Sequence, residues 1–215
     1  MSRLSPLAEL STATHKDLSL GSVSNMRIVA TSLYIAGKNI LCDLSAIRKR
    51  IVIGSTATNW LSEHTGACPS TLFETKALEA GAFVVRIHRD QYILVDGYNT
   101  ERFDEVFTLP TGRHGDVLLL DYECAEIVLA GPQVDDITSE LCPMPMSDIA
   151  AGYWCATRMA HADVVILPID FPTRHYRILM TPADARFVYK IFNDAVFECG
   201  GTQIGYHNYW QDFLN

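Results

Sequence analysis

One order of residues occurs twice in this chain and limits what it can fold into. Leu41-Cys42-Asp43-Leu44-Ser45 leads into Arg50-Ile51-Val52-Ile53-Gly54, then a helical pattern through Ala57, Trp60 and Leu61, then Cys68-Pro69. Leu119-Leu120-Asp121-Tyr122 leads into Glu126-Ile127-Val128-Leu129-Ala130-Gly131, then a helical stretch through Val134, Ile137 and Leu141, then Cys142-Pro143. The two aspartates stand 78 positions apart. Self-similarity on this scale marks a repeated supersecondary module. Ser55 or Thr56 is placed to cap the first helix.

The segments after the two Cys-Pro pairs are alike as well. Ala82-Phe83-Val84-Val85-Arg86-Ile87 and Tyr92-Ile93-Leu94-Val95 flank Arg89-Asp90, which reads as a β-hairpin. Cys155 to Met159 and Val164 to Ile169 flank His161-Ala162-Asp163, a second hairpin, and a further strand runs through Tyr176-Arg177-Ile178-Leu179-Met180. Each half then closes in a helix. The first is short, around Thr100 to Phe107. The second starts at Thr181-Pro182, where Thr181 can cap and Pro182 suits the first helical position, and it ends at Gly200-Gly201. Ala183, Phe187, Val188, Ile191, Phe192 and Ala195 recur at helical spacing and form its expected apolar face.

The expected fold class is therefore α+β, with two pseudo-repeated βαββα halves. The boundaries expected from sequence are an N-terminal arm over 1–22, a first half over 23–112, a second half over 113–201 and an aromatic tail over 202–215. The arm is rich in Ser, Thr, Leu and Gly and reads as an unpacked extension. Gly112-Arg113-His114-Gly115-Asp116 reads as a polar linker between the halves.

Charge and composition narrow the function. With 215 residues the chain can bury a sizeable core, and a net charge of −8 repels nucleic-acid backbones. Arg48-Lys49-Arg50 runs straight into Ile51-Val52-Ile53 and reads as a solvated strand start. The apolar runs are too short to cross a bilayer, and the N-terminus lacks the pattern of a signal peptide. A cytoplasmic protein without membrane or nucleic-acid partners is the expectation.

Chemistry-bearing motifs are sparse. Six cysteines (Cys42, Cys68, Cys124, Cys142, Cys155 and Cys199) contain no C-x-x-C pair and match no common zinc spacing, so reduced thiols and no metal site are expected. Seven histidines are scattered without the i, i+4 spacing of a helical metal site. A Cys–His–Asp nucleophile system needs only neighbours in space and stays open at this point. No G-x-G-x-x-G or P-loop pattern follows a strand, which argues against nucleotide binding by those routes. Cys68 and Cys142 each follow a helix C-terminal end, a setting that raises a thiol's pKa, so both read as packing residues. Asp135-Asp136 falls in the first turn of a helix, where acidic side chains suit the dipole. No catalytic residue is expected, and no cofactor-binding residue can be named.

The tail is more telling. Tyr206, Tyr209, Trp210 and Phe213 fall within eight residues after a glycine-rich break. Such rings are costly to leave in water, so they either fold back on the core or form a partner interface.

Several short motifs resemble the gamma subunit family of heterotetrameric sarcosine oxidase. They are Ser5-Pro6-Leu7-Ala8, Asp43-Leu44-Ser45, Trp60-Leu61, Val128-Leu129-Ala130-Gly131-Pro132, Leu141-Cys142-Pro143 and Cys155-Ala156-Thr157-Arg158. The strand Ala162-Asp163-Val164-Val165-Ile166 and the helix from Ala183 through Phe187 to Phe192 complete the likeness, which spans roughly residues 4 to 201. That family is similar in fold to the glycine-cleavage T-protein, a folate-binding aminomethyltransferase. The resemblance implies a complex that oxidises an N-methyl amine such as sarcosine with FAD, FMN and NAD. It passes the one-carbon fragment to tetrahydrofolate. Those cofactors would sit in the larger alpha and beta subunits, zinc in a small delta subunit, and none in a gamma-like chain. The sequence is shorter than a full aminomethyltransferase and has no segment matching that family's catalytic acidic motif. A free-standing tetrahydrofolate-binding protein remains the alternative.

Overall fold

A computed structural model describes residues 3–7, 19–24, 26–99 and 101–214, with the side chains of 3, 4, 19 and 20 left out. In chain order, β1 (Arg3–Leu4), β2 (Ser19–Val23), β3 (Met26–Thr31) and β4 (Ile40–Asp43) precede β5 (Lys49–Ile53) and helix α1 (Ala57–Thr65). Next come β6 (Thr75–Ala77), β7 (Phe83–His88), β8 (Gln91–Val95), helix α2 (Asp104–Thr108), β9 (Gly112–His114) and β10 (Val117–Asp121). The remaining elements are β11 (Ala125–Ala130), helix α3 (Val134–Leu141), β12 (Cys155–Met159), β13 (Ala162–Ile169), β14 (His175–Met180), helix α4 (Pro182–Glu198) and β15 (Thr202–Ile204). A helical turn at Tyr206–Asn208 continues into a π-helical turn at Tyr209–Phe213.

The chain forms two compact units. One takes the described residues up to Ala46, Cys124–Ala151 and the chain from Cys155 on; the other takes Ile47–Glu123 and Gly152–Trp154. The first holds a six-stranded sheet of order β12-β13-β14-β11-β4-β15 and a three-stranded sheet of order β1-β3-β2. All six β11 residues are buried. Period-two alternation sends Ala125, Ile127 and Leu129 into a core with Tyr176, Ile178 and Met180 of β14 and with Val188, Tyr189, Phe192 and Val196 of α4. The opposite phase, Glu126 and Val128 with His175, Arg177 and Leu179, is buried as well. A strand buried on both faces reads as a continuous apolar run, which explains the Ile-Val-Leu-Ala signal in the sequence.

The second unit holds a six-stranded sheet of order β6-β7-β8-β5-β10-β9. Helices α1 and α2 bury Ala57, Leu61 and Val106 against Val52, Val84, Tyr92, Leu94, Val117 and Leu119. The segment 152–154 runs along the edge, where Thr75 N donates to the Gly152 carbonyl at 2.7 Å and Trp154 N to the Phe73 carbonyl at 2.9 Å.

The glycine after each leading strand has a steric reason. A Cβ on Gly54 would stand 2.3 Å from the Asp116 carbonyl oxygen, and one on Gly131 would stand 2.5 Å from Asn39 Cα. In each case a neighbouring backbone crosses where the strand turns into its helix, and only glycine leaves room for it.

Several sequence expectations are corrected. The units do not divide near residue 112, because β4 and β10 each pair outside their expected half. β4 joins β11, and β10 joins β5. Residues 112–116 are no linker, since β9 pairs with β10 as a hairpin. The arm is partly packed: Arg3–Leu4 pairs with β3, and Ser5 and Leu7 are buried. Residues 8–18 lie outside the described residues. Lys49 and Arg50 are only 5 % and 4 % exposed, not solvated. Thr56 precedes α1 but makes no side-chain cap. On α4 the buried face is turned from the expected one: Ala185, Val188, Tyr189, Phe192, Asn193 and Val196 face inward, while Phe187 is 55 % exposed.

Candidate functional site

The densest grouping of buried polar side chains lies in the first unit, on the sheet face away from the α4 core. Glu126 sits in β11 and Arg177 in β14, where Val128 is opposite Arg177 and Leu179 opposite Glu126. The two charges are therefore diagonal neighbours on one face. Arg177 Nε donates to Glu126 Oε1 at 2.5 Å, with side chains 1 % and 0 % exposed. Removing two charges from water is costly, and their mutual attraction at this depth recovers part of that cost.

Asp43, at the end of β4, extends the network. Its carboxylate accepts from Ser5 Oγ and from Ser45 N, the latter at 2.9 Å. Ser45 Oγ accepts from Glu126 N at 3.1 Å, and Leu44 N donates to the Glu126 carbonyl at 2.8 Å. Cys42 Sγ lies 3.6 Å from the Gly205 carbonyl. Burial, then the carboxylates of Asp43 and Glu126, raise its thiol well above the ordinary range.

The tail covers this face. Tyr206, Tyr209, Trp210 and Phe213 are all buried. Gly205 N donates to Ser32 Oγ at 2.8 Å, and Ser32 N to Asn208 Oδ1 at 2.7 Å, which ties the tail to the chain just beyond β3. Arg177 Cζ stands 5.8 Å from the Trp210 ring. His175 Nδ1 lies 2.9 Å from the Thr173 carbonyl, an acceptor only, so that nitrogen carries the proton. Nε2 then accepts from the Tyr209 hydroxyl at 3.1 Å. Burial first, with Arg177 adding, pushes His175 down to about 4, against the Thr173 carbonyl and Asp170. Of the two arrangements left open for the tail, the chain adopts fold-back, with all four rings buried on its own core.

The arrangement suits packing better than turnover. The thiol is held protonated, the imidazole has both nitrogens bonded, and the carboxylates bond to neighbouring donors. Among the described residues no group of three His, Cys, Asp or Glu is placed to hold a metal. Elsewhere burial raises the thiols of Cys68 and Cys155 each to about 11. Cys142 is buried behind α3, as expected.

The basic triplet forms a second cluster, in the other unit. Arg48 Nε donates to Asp96 at 2.7 Å, Arg48 also pairs with Asp104, and its guanidinium lies 4.7 Å over the Phe107 ring. Arg50 donates to the carbonyls of Phe107 and Leu109 and stands 3.4 Å from Asp121. Burial raises the Asp96 carboxyl despite Arg48. The same unit exposes Leu72, Phe73 and Tyr153, with Tyr153 bridged to Glu74.

Sequence reading missed the Glu126–Arg177 pair and His175. A signal was present: one charge of each sign stands inside an otherwise apolar strand, Ala125-Glu126-Ile127-Val128 and Tyr176-Arg177-Ile178-Leu179.

Comparison with solved structures places this geometry. A glycine cleavage system aminomethyltransferase T from Bartonella henselae superposes with a TM-score of 0.70 at 14 % identity, over 95 % of this chain and 60 % of the other. A chain of the heterotetrameric sarcosine oxidase from Corynebacterium sp. U-96, in complex with pyrrole 2-carboxylate, superposes with a TM-score of 0.65 at 18 % identity, over 94 % and 98 %. The chain is similar in fold to both. This bears out the α+β class and the fold resemblance seen in the sequence motifs. The chain spans about 60 % of the aminomethyltransferase's length. No family model and no curated protein matches the sequence. Among the described residues no helix is long and apolar enough to cross a membrane.

Proposed function

We propose that this chain is a gamma-like, non-catalytic subunit of a sarcosine-oxidase-type complex that oxidatively demethylates an N-methyl amine. The observation that carries the reading is end-to-end correspondence: the sarcosine oxidase chain is matched over 98 % of its length, the aminomethyltransferase over 60 %. The site chemistry supports it, because Glu126 is paired with Arg177, Asp43 and Ser45 join the same network, and burial raises the thiols of Cys42, Cys68 and Cys155. The exposed Leu72, Phe73 and Tyr153 offer an apolar surface to a neighbour. In this reading FAD, FMN, NAD and tetrahydrofolate belong to larger alpha and beta subunits and zinc to a small delta subunit. The complex is cytoplasmic. Assaying the purified chain with sarcosine and other N-methyl amines tests the non-catalytic part: no turnover is expected, and turnover by this chain alone would overturn it.

The TM-score of 0.70 to an aminomethyltransferase supports a second reading, a free-standing tetrahydrofolate-binding protein. Titration of the isolated chain with tetrahydrofolate separates the two. Saturable binding favours the second reading, and no binding at millimolar ligand removes it.

A further inference from the structure

We propose that the C-terminal segment from Tyr206 to Phe213 is an acid-released strap, latched onto the sheet by the neutral imidazole of His175. The latch is a single directed bond. Because the Thr173 carbonyl holds the Nδ1 proton, Nε2 is the acceptor for the Tyr209 hydroxyl at 3.1 Å. A proton arriving at Nε2 removes that acceptor, so the hydroxyl must turn away or leave. It also places a second cation beside Arg177 in a site that water does not reach.

The groups facing His175 all bear on this step. From its own strand comes Arg177, which opposes a proton; from the turn before it comes Asp170, which favours one. From the strap come Tyr209, and Phe213 with its ring centroid 5.2 Å away. The residues opposite His175 in the neighbouring strands are Ala130 and Ile169, neither of which titrates. Glu126 and Cys42 act on Tyr209, whose phenol is pushed up chiefly by burial. The strap's His207 and Asp212 lie on its more exposed side.

The strap also has a fixed point upstream. β15 is fixed upstream by parallel pairing with β4. Gly205 comes next, pressed so close to Thr31 that a Cβ would stand 2.5 Å from its Cα. Beyond that point Ser32, His175 and ring packing are among the contacts that hold the strap. Opening lifts Trp210 from Arg177 and uncovers the Glu126–Arg177 face.

The imidazole sets the sign. With the strap open His175 takes up its proton near 6.5, and with the strap closed near 4, so opening is favoured progressively as pH falls through that window. Hydrogen exchange on the full-length chain reads it. Between pH 6.5 and 4, amide protection over residues 206–213 should fall on the order of a hundredfold, while β13 keeps its protection. His175→Gln cannot titrate and should keep the strap's protection constant across the window. The proposal is overturned if His175→Gln loses protection as the wild type does, or if strap and β13 lose it together. Should His175→Gln fail to fold, Tyr209→Phe decides. It keeps the ring and removes the latch hydroxyl, so strap protection should already be lower at pH 6.5 and should fall less between pH 6.5 and 4 than in the wild type; an unchanged profile overturns the proposal.

Discussion

Glu126 and Arg177 each depend on the other. Removing one partner of so deep a pair leaves the remaining charge buried without its counter-ion, at a cost of about 3–5 kcal/mol. Arg177→Met should therefore lower stability by roughly that amount, read from denaturant midpoints. The double variant Glu126→Leu with Arg177→Met should recover most of the loss, because neither charge of the pair is then left buried. A double variant less stable than the single one would contradict the reading. The thiols give a second test at this scale. With Cys68 and Cys155 near 11, the thiolate fraction at pH 8 is roughly 0.1 %. Alkylation by iodoacetamide should be more than about a hundredfold slower than for a free cysteine thiol and should accelerate about tenfold per pH unit. Fast labelling near pH 7 would mean an activated thiol and reopen nucleophilic chemistry.

Helix α4 shows what a sequence pattern can and cannot place. Thr181 Oγ1 accepts from Asp184 N at 3.3 Å and Pro182 takes the first turn, so the helix start was legible in the residues. The buried face was not. Phe187 and Phe192 are both aromatic, and several phases of a 3.6-residue period fit the apolar positions almost equally well. The sheet chose the phase that buries Tyr189, Asn193 and Val196, and Asn193 Oδ1 accepts from Gln203 Nε2 at 2.5 Å. A pattern of apolar residues alone gives no weight to Asn193. Phe187→Ser should change stability by less than about 0.5 kcal/mol, and Phe192→Ala should cost about 3–5 kcal/mol. Equal costs, measured by thermal unfolding, would mean the helix faces the sheet differently.

Across the whole molecule, the central strands and the helices were legible, but strands β1, β2, β3, β6, β9 and β15 and the strand partners were not. Alternation, glycine positions and turn residues reveal where strands lie, and the β7–β8 hairpin falls within a residue or two of its expected ends. Pairing is set by packing between segments far apart in sequence. Hence the segments of β4 and β10 could be read as leading into the strands that follow them, without any local sign that each joins the sheet of the other segment. The basic triplet misled for the same reason, since Asp96, Asp104 and Asp121, its partners, lie 48–71 residues further on. The tail could be read as apolar but not as folded back, because its acceptors His175 and Ser32 lie in distant segments.

If the chain contributes by fitting against larger neighbours, it should not be found alone. Native mass spectrometry of the tagged chain, purified gently from its own source, measures this directly. The predicted result is an assembly in which this chain accompanies at least one larger flavin-containing subunit. A mass corresponding to the single 23.9 kDa chain, with no flavoprotein in any fraction that contains it, would contradict the account.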